Sequence, residues 1–250
     1  MFLCDIIKDI DIFEVILLRS LISGADVTTA EGFRSDKRHT VCISGHREKS
    51  IIPADGVSAD FAAECVKAVL YRYIDMAVDM GYTDFISGLA MGTDLWAAGY
   101  ILRRKAHNKD IRLIGAMPFL HHADFFPPES RKLLSEAEEG CDVLLSVSPY
   151  PEIRYSKSAA VSGNGYSHDL YRDRNYFMVD NSSAVISFYN PAEYRSGTAQ
   201  TIRYANKCGL TVRSFSIDDV YSIIDEAQGV PQEVRRKIAF LPNVFESSAP

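Results

Sequence analysis

Between residues 39 and 215 the chain alternates short, apolar, β-branched runs with longer stretches of helical period. No other feature narrows the fold as much. A buried run of four to six residues with helical segments on either side fits a parallel sheet, because each helical crossover covers one face of the strands it joins. The predicted strands are His39–Ser44, Asp84–Ser87, Arg112–Met117, Val143–Val147, Ala184–Tyr189 and Leu210–Ser214. Helical spacing occupies Asp60–Met80, Thr93–His107, Pro128–Glu139, Leu170–Asp180 and Gly197–Cys208. The predicted class is α/β, a doubly wound, mostly parallel sheet with helices on both faces.

Residues 1–38 stand outside the alternation. Ile6–Ile22 reads as an amphipathic helix and Gly24–Arg38 as a linker. After the last strand, Ile217–Ala227 and Pro231–Phe240 read as closing helices before a loose tail. The expected organisation is a helical extension and linker over 1–38, one α/β domain over 39–217, and C-terminal helices and tail over 218–250. Residues 149–168 form the longest irregular stretch, with Gly-Asn-Gly at 163–165; a segment of that length is either a lid or disordered.

Composition removes several classes of function. The formal net charge of −6 argues against a protein whose main task is to wrap a polyphosphate backbone, so DNA is not the expected partner. The cysteines, Cys4, Cys42, Cys65, Cys141 and Cys208, are odd in number, scattered and free of C-x-x-C spacing. They read as reduced core residues, not as a disulfide frame or a zinc site. The apolar stretch Ile12–Ile22 carries Glu14 and Arg19 and is too short for a membrane span. A cytoplasmic protein with no membrane partner is expected.

In an open parallel sheet the ligand groove lies beyond the carboxyl ends of the strands. Three of those ends carry turns rich in Gly, Ser and Thr. They are Ser44-Gly45-His46-Arg47, Ser87-Gly88-Leu89-Ala90-Met91-Gly92-Thr93-Asp94, and Tyr189-Asn190-Pro191 leading to Ser196-Gly197-Thr198. Free N–H groups in the first turn of a helix favour an anion, and glycine lets a ligand approach the backbone without a Cβ in the way. The plainer account is that each glycine only permits a tight turn, and it weakens when three such turns share one edge. Gly88 and Gly92 are four apart, which is neither a dinucleotide G-x-G-x-x-G nor a P-loop G-K-[ST]. No cofactor is expected.

The segments I-S-G-H-R (43–47), S-G-L-A-M-G-T-D (87–94), R-N-Y-F-M-V-D (174–180) and S-G-T-A-Q-T-I-R-Y-A (196–205) together resemble the YpsA-like proteins. These belong to the SLOG superfamily of Rossmann-like domains, with the cytokinin-activating phosphoribohydrolases and the DNA-processing protein DprA. The resemblance covers about residues 39–215 and implies a Rossmann-like domain of SLOG type that binds a nucleotide or nucleotide-derived molecule, as sensor or enzyme. In the phosphoribohydrolases a P-G-G-x-G-T-x-x-E segment carries phosphate-binding glycines and a catalytic glutamate. Aligned on Gly197-Thr198, this chain has Arg195 and Ser196 before them and Thr201 at the glutamate position. Whether the protein is an enzyme is therefore left open, because cleavage through an oxocarbenium-like state normally needs that carboxylate.

The residues expected to bind ligand or phosphate are Ser44, Gly45, His46, Arg47, Ser87, Gly88, Gly92, Thr93, Asp94, Arg174, Asn175, Ser196, Gly197 and Thr198. Arg47 can pair with a phosphate through its planar fork, or be an ordinary surface arginine. Asp94 can accept from ribose hydroxyls, or cap free N–H groups in the first helical turn. Asp94 and His46 are the catalytic candidates if there is turnover. Arg174 and Asn175 open a helix on this reading, so that Arg174 neutralises a second anionic group; otherwise Arg172 and Arg174 form a solvated face. Asp180 is a candidate partner for Arg47 or Arg174. His121-His122-x-Asp124 reads as a polar loop before a helix rather than a metal site, so no metal is expected. Trp96 and Tyr100, four apart, read as core packing.

The expected function is binding of a nucleotide-type small molecule in the strand-end groove, with a sensory or regulatory output. An N-glycosyl hydrolase acting on nucleoside monophosphates and a DprA-like single-stranded DNA binder are the alternatives. Self-association through helices, giving a homo-oligomer, is expected by analogy with sheets of this type.

Overall fold

The structure, a computed structural model, describes residues 18–51, 56–152 and 166–246. In chain order its elements are strands β1 (Leu18–Arg19), β2 (Asp26–Thr29) and β3 (Thr40–Ile43), helix α1 (Ala59–Asp79), β4 (Asp84–Ser87), α2 (Thr93–His107), β5 (Arg112–Met117), α3 (Pro128–Gly140) and β6 (Val143–Ser146). Then come α4 (Tyr166–Asp180), β7 (Ala184–Phe188), α5 (Gly197–Lys207), β8 (Thr211–Phe215), α6 (Ile217–Glu226) and α7 (Pro231–Ala239). The eight strands form one sheet in the order β1-β2-β6-β5-β4-β3-β7-β8, and every pair except β1–β2 is parallel.

Alternation along each strand decides which layer a side chain enters. Val41, Ile43, Phe85, Leu113, Ala184 and Ile186 join a core with α1, α2, α3, α6 and α7. Cys42, Ile86, Ile114 and Val185, their neighbours in sequence, join Met178 and Val179 of α4 and Ala205 of α5 on the other face. Both faces are thus covered, which is why every residue of β3, β4 and β7 is buried. Local signals set the helix starts: Ser58 caps α1 through Phe61 N–H at 3.2 Å, Pro128 and Pro231 open α3 and α7, and Ser216 with Asp219 forms a capping box on α6.

The six predicted strands are all present, each bounded within one residue of expectation. The N-terminal segment differs from its reading. Residues 24–38, expected to be a linker, contain β2, which pairs with β6 in the register Thr28↔Leu145 and Thr29↔Ser146 and widens the sheet. Leu18–Arg19, expected to be helical, is the antiparallel edge strand. The turn between them is anchored by Ser20, whose hydroxyl donates to buried Glu138 of α3 at 2.5 Å. Residues 6–17 of the expected amphipathic helix and residues 153–165 of the irregular stretch lie outside the described residues. Helix α4 starts at Tyr166, four residues before the predicted Leu170, in a polar stretch with no apolar period. Among the cysteines, Cys42 and Cys65 are buried as expected, whereas Cys208 is exposed at the end of α5.

The chain order sets the site. From β3 the chain runs outward through β4, β5 and β6 with α1, α2 and α3 on one face; it then returns through α4 on the other face to β7, on the opposite side of β3. The connections after β3 and β7 diverge, and a crevice opens where they part.

Candidate functional site

A cavity of about 570 Å³ occupies that crevice. Its walls come from the ends of four adjacent strands, β5, β4, β3 and β7, and from one side of α4.

The turns after β3 and β4 are locked together. Thr93 Oγ1 donates to the His46 carbonyl at 2.7 Å. A Cβ on Gly45 would lie 2.5 Å from the Thr93 side chain, and one on Gly92 would lie 2.7 Å from Arg47 Cα. Gly92 also has φ +85°, a left-handed value that a side chain strains. Leu89, also buried, has a positive φ of 54° without being glycine. Its N–H donates to Ser87 Oγ at 3.2 Å, and that hydroxyl donates to the Asp94 carbonyl at 3.0 Å.

Beneath this corner lies a buried ion pair. Arg174 and Asp94 are each 5% exposed, with Nη1 3.7 Å from Oδ2. Arg174 Nη1 also donates to the Gly88 carbonyl, and a Cβ on Gly88 would collide with the guanidinium. Burial pushes the Asp94 carboxyl up to about 6, opposed by Arg174 and by the N–H groups of Ala90 and Gly45. Burial also lowers Arg174 from its ordinary value, opposed by Asp94, while the like charge of Arg47 lowers it further. Arg174 Nε has no hydrogen-bond partner among the described residues, and the guanidinium lines the cavity.

Asn175, the next residue of α4, turns to a different helix. It is 8% exposed, and its Nδ2 lies 3.6 Å from where a Gly197 Cβ would be, at the start of α5. The Ser196 hydroxyl caps Ala199 N–H at 3.1 Å. Among the described residues no protein group accepts from the N–H of Gly197 or Thr198, which stand at the cavity wall. Two consecutive α4 residues thus stand beside two helix N-termini, Arg174 at α2 through Asp94 and Asn175 at α5.

His46 is 4% exposed, stacked on Tyr189 with ring centroids 5.8 Å apart, and its Nδ1 is 3.2 Å from Glu193 Oε2. Burial lowers its pKa, and Glu193 opposes that shift. On the β5 side, His121 Nδ1 contacts Asp124 at 3.1 Å and His122 donates from Nδ1 to the Phe119 carbonyl at 3.0 Å. Burial drives His122 down to about 4, helped by the charge of Arg174, so its ring is neutral.

Ten of the fourteen residues expected from sequence line the cavity: Ser44, Gly45, His46, Arg47, Asp94, Arg174, Asn175, Ser196, Gly197 and Thr198. Ser87, Gly88, Gly92 and Thr93 stand one layer behind, where they shape the corner. Arg174 and Asn175 do not open their helix, since α4 begins eight residues earlier; they reach the cavity from its body. Asp180 faces elsewhere and accepts from Tyr204 Oη at 2.9 Å. Arg172 pairs on the exposed face with Asp169 and Asp173, at 2.6 and 2.8 Å. Thr201 is buried away from the cavity and donates to the Gly197 carbonyl at 2.9 Å. Trp96 is buried and Tyr100 stacks on Tyr71 at 4.2 Å, so both serve packing.

Sequence reasoning missed Glu193, Lys49, Tyr171 and the group His121, His122, Phe125 and Phe126, all of which line the cavity. The signal for the last four was their position just after β5, at the same sheet edge as the glycine turns. Among the described residues no three His, Cys, Asp or Glu side chains are placed to hold a metal ion, and no helix is long and apolar enough to cross a membrane.

A family model named YpsA and described as the YspA SLOG family matches residues 41–220. A UPF0398 protein of Bacillus cereus is 22% identical over 174 residues, covering 66% of this chain and 84% of the relative. A UPF0398 protein of Bacillus thuringiensis is 23% identical with the same coverage. Among solved structures, DNA processing protein A (DprA) of Streptococcus pneumoniae aligns with a TM-score of 0.44 and 21% identity, over 79% of this chain and 61% of that one.

Proposed function

Because the chain belongs to the YspA SLOG family, we propose that its strand-end groove binds an anionic, nucleotide-type small molecule and that occupancy serves a regulatory output. One observation carries this reading. The Arg174 guanidinium is held inside the cavity with its Nε unpartnered among the described residues, near the like charge of Arg47. A buried arginine with unspent donors is costly unless an anion completes it, and the unpaired N–H groups of Gly197 and Thr198 are fixed donors for the same purpose. Asp94, held between the two arginines and the first turn of α2, is the acceptor suited to sugar hydroxyls. The proposed roles are phosphate on Gly197, Thr198, Arg47 and Arg174, and sugar on Asp94.

The test is titration calorimetry with a panel of nucleoside mono- and diphosphates, alongside mass spectrometry of small molecules that co-purify with the protein. Saturable binding that weakens at least about tenfold in Arg47→Ala is the expected result. Absence of binding across the panel overturns the proposal.

Glu193 favours a second reading, the N-glycosyl hydrolase. Although Thr201 has no carboxylate to offer, Glu193 places one at the cavity wall against His46. Free base released from a nucleoside monophosphate, and abolished by both Glu193→Gln and Asp94→Asn, would favour the enzyme. Binding without release favours the sensor.

A further inference from the structure

The cavity is not uniform along the sheet edge. At the β3 and β7 ends its lining is polar and mostly cationic, with Ser44, Arg47, Lys49 and the first turn of α5, and one carboxylate, Glu193, set against His46. At the β5 end the lining changes to rings: Phe125 and Phe126 from the connection before α3, and Tyr171 from α4. The two ends are three strand spacings apart, roughly 14 Å at the usual interstrand distance.

The ring-lined end is braced from behind. His122 meets Phe126 edge-on, with centroids 5.7 Å apart and planes at 84°. Phe119, itself buried, meets Tyr171 at 5.7 Å and 73°, which ties α4 to the β5 connection. Phe125 stands on the same wall with 64% of its surface open to solvent. With Phe126 and Tyr171 on the same wall, that exposed ring extends an aromatic surface that a planar ligand can cover. Asp124 is paired with His121 at 3.1 Å and burial keeps His122 neutral, so the rings are left as the surface for an uncharged planar group.

We infer that this ring-lined end, with Phe125 as its exposed face, is a stacking subsite for the base of a nucleotide whose phosphate lies at the α5 end. The inference rests on the reading of the groove as a nucleotide site and adds a direction to it: base at β5, sugar at Asp94, phosphate at α5. Stacking is tolerant of base identity, since every base presents a π-face. The subsite therefore distinguishes a nucleotide from a bare sugar phosphate more than one nucleotide from another.

The experiment compares AMP, UMP and ribose 5-phosphate by titration calorimetry on the full chain and on Phe125→Ala and Phe125→Tyr. Wild type should bind both nucleotides about tenfold or more tighter than ribose 5-phosphate. Phe125→Ala should remove most of that ratio while leaving ribose 5-phosphate affinity unchanged, and Phe125→Tyr should preserve it. Equal affinity for AMP and ribose 5-phosphate in wild type, or a loss in Phe125→Ala shared by all three ligands, overturns the stacking subsite and leaves the phosphate site standing. If none of the three binds, the groove reading falls and the subsite with it.

Discussion

The two ends of the sheet treat their polar groups in opposite ways. At the amino ends of the strands, charges meet partners: Arg112 pairs with Asp84 at 3.3 Å, and Asp142 accepts from the Leu113 N–H at 2.9 Å and from Lys105 at 2.7 Å. At the carboxyl ends, Arg174 Nε and His46 Nε2 are buried without partners among the described residues, and the first N–H groups of α5 are unspent. One sequence built both ends, so the difference is not a general looseness of packing. Arg72 and Arg104 also bury an Nε without a hydrogen-bond partner among the described residues, but at the carboxyl rim such groups line the crevice, which marks where stability is traded for binding.

The strongest attempt to break this contrast is Arg174→Met. It leaves buried Asp94 without its nearer counter-charge and the Gly88 carbonyl without its guanidinium donor, and should remove about 3–5 kcal/mol of stability. For a domain of this size that is a fall in Tm of roughly 10 °C, seen by calorimetry or circular dichroism. An unchanged Tm would mean that the pair is not a structural unit.

Next in size is the pH dependence of Asp94. Its folded pKa of about 6 lies above the ordinary 3.8, so the folded state holds this proton more tightly than the unfolded chain. The stabilisation from that proton is complete below about pH 4, declines as pH rises through about 6, and amounts to about 3 kcal/mol. Denaturant titrations should show the stability of wild type relative to Asp94→Asn falling between pH 4 and 7 and constant above. A difference that does not vary over that range would remove Asp94 from the buried set.

Gly92→Ala should cost about 2 kcal/mol, through a left-handed φ and a Cβ thrust against the Arg47 backbone. Because it disturbs the rim, ligand affinity should fall with stability. At the other end, Lys105→Ala removes a partly exposed pair and should cost about 1 kcal/mol or less, with binding untouched. A large binding defect in Lys105→Ala would dissolve the distinction between base and rim.

How much of this was legible in the sequence follows the same division. Strands covered on both faces announce themselves by apolar residues on both, so β3 to β7 could be read directly, while the partly exposed edge strand β8 was legible from its apolar and β-branched start at Leu210, Thr211 and Val212. The hairpin could not: β2 buries only Val27 of its four residues, and a single apolar position has no period. The glycine turns were legible because their backbone demands exclude other residues at Gly45, Gly88 and Gly92. Arg174 was reached through the family resemblance, but its approach from mid-helix depends on a polar first turn of α4 with no apolar pattern. Phe125, Phe126 and Glu193 carry no local mark, since a ring in a loop or an acid in a turn acquires its role only from what tertiary structure sets beside it.

The bond from Thr93 to the His46 carbonyl, with Gly45 and Gly92 pressed against their neighbours, has a kinetic implication. Two segments joined in this way arrive at an encounter already ordered, so their share of the entropy of association was settled when the chain folded. Capture at this wall should then be governed by diffusion and charge, with free and occupied backbones superimposing here, and any rearrangement that slows the exchange of bound molecules must arise elsewhere in the protein.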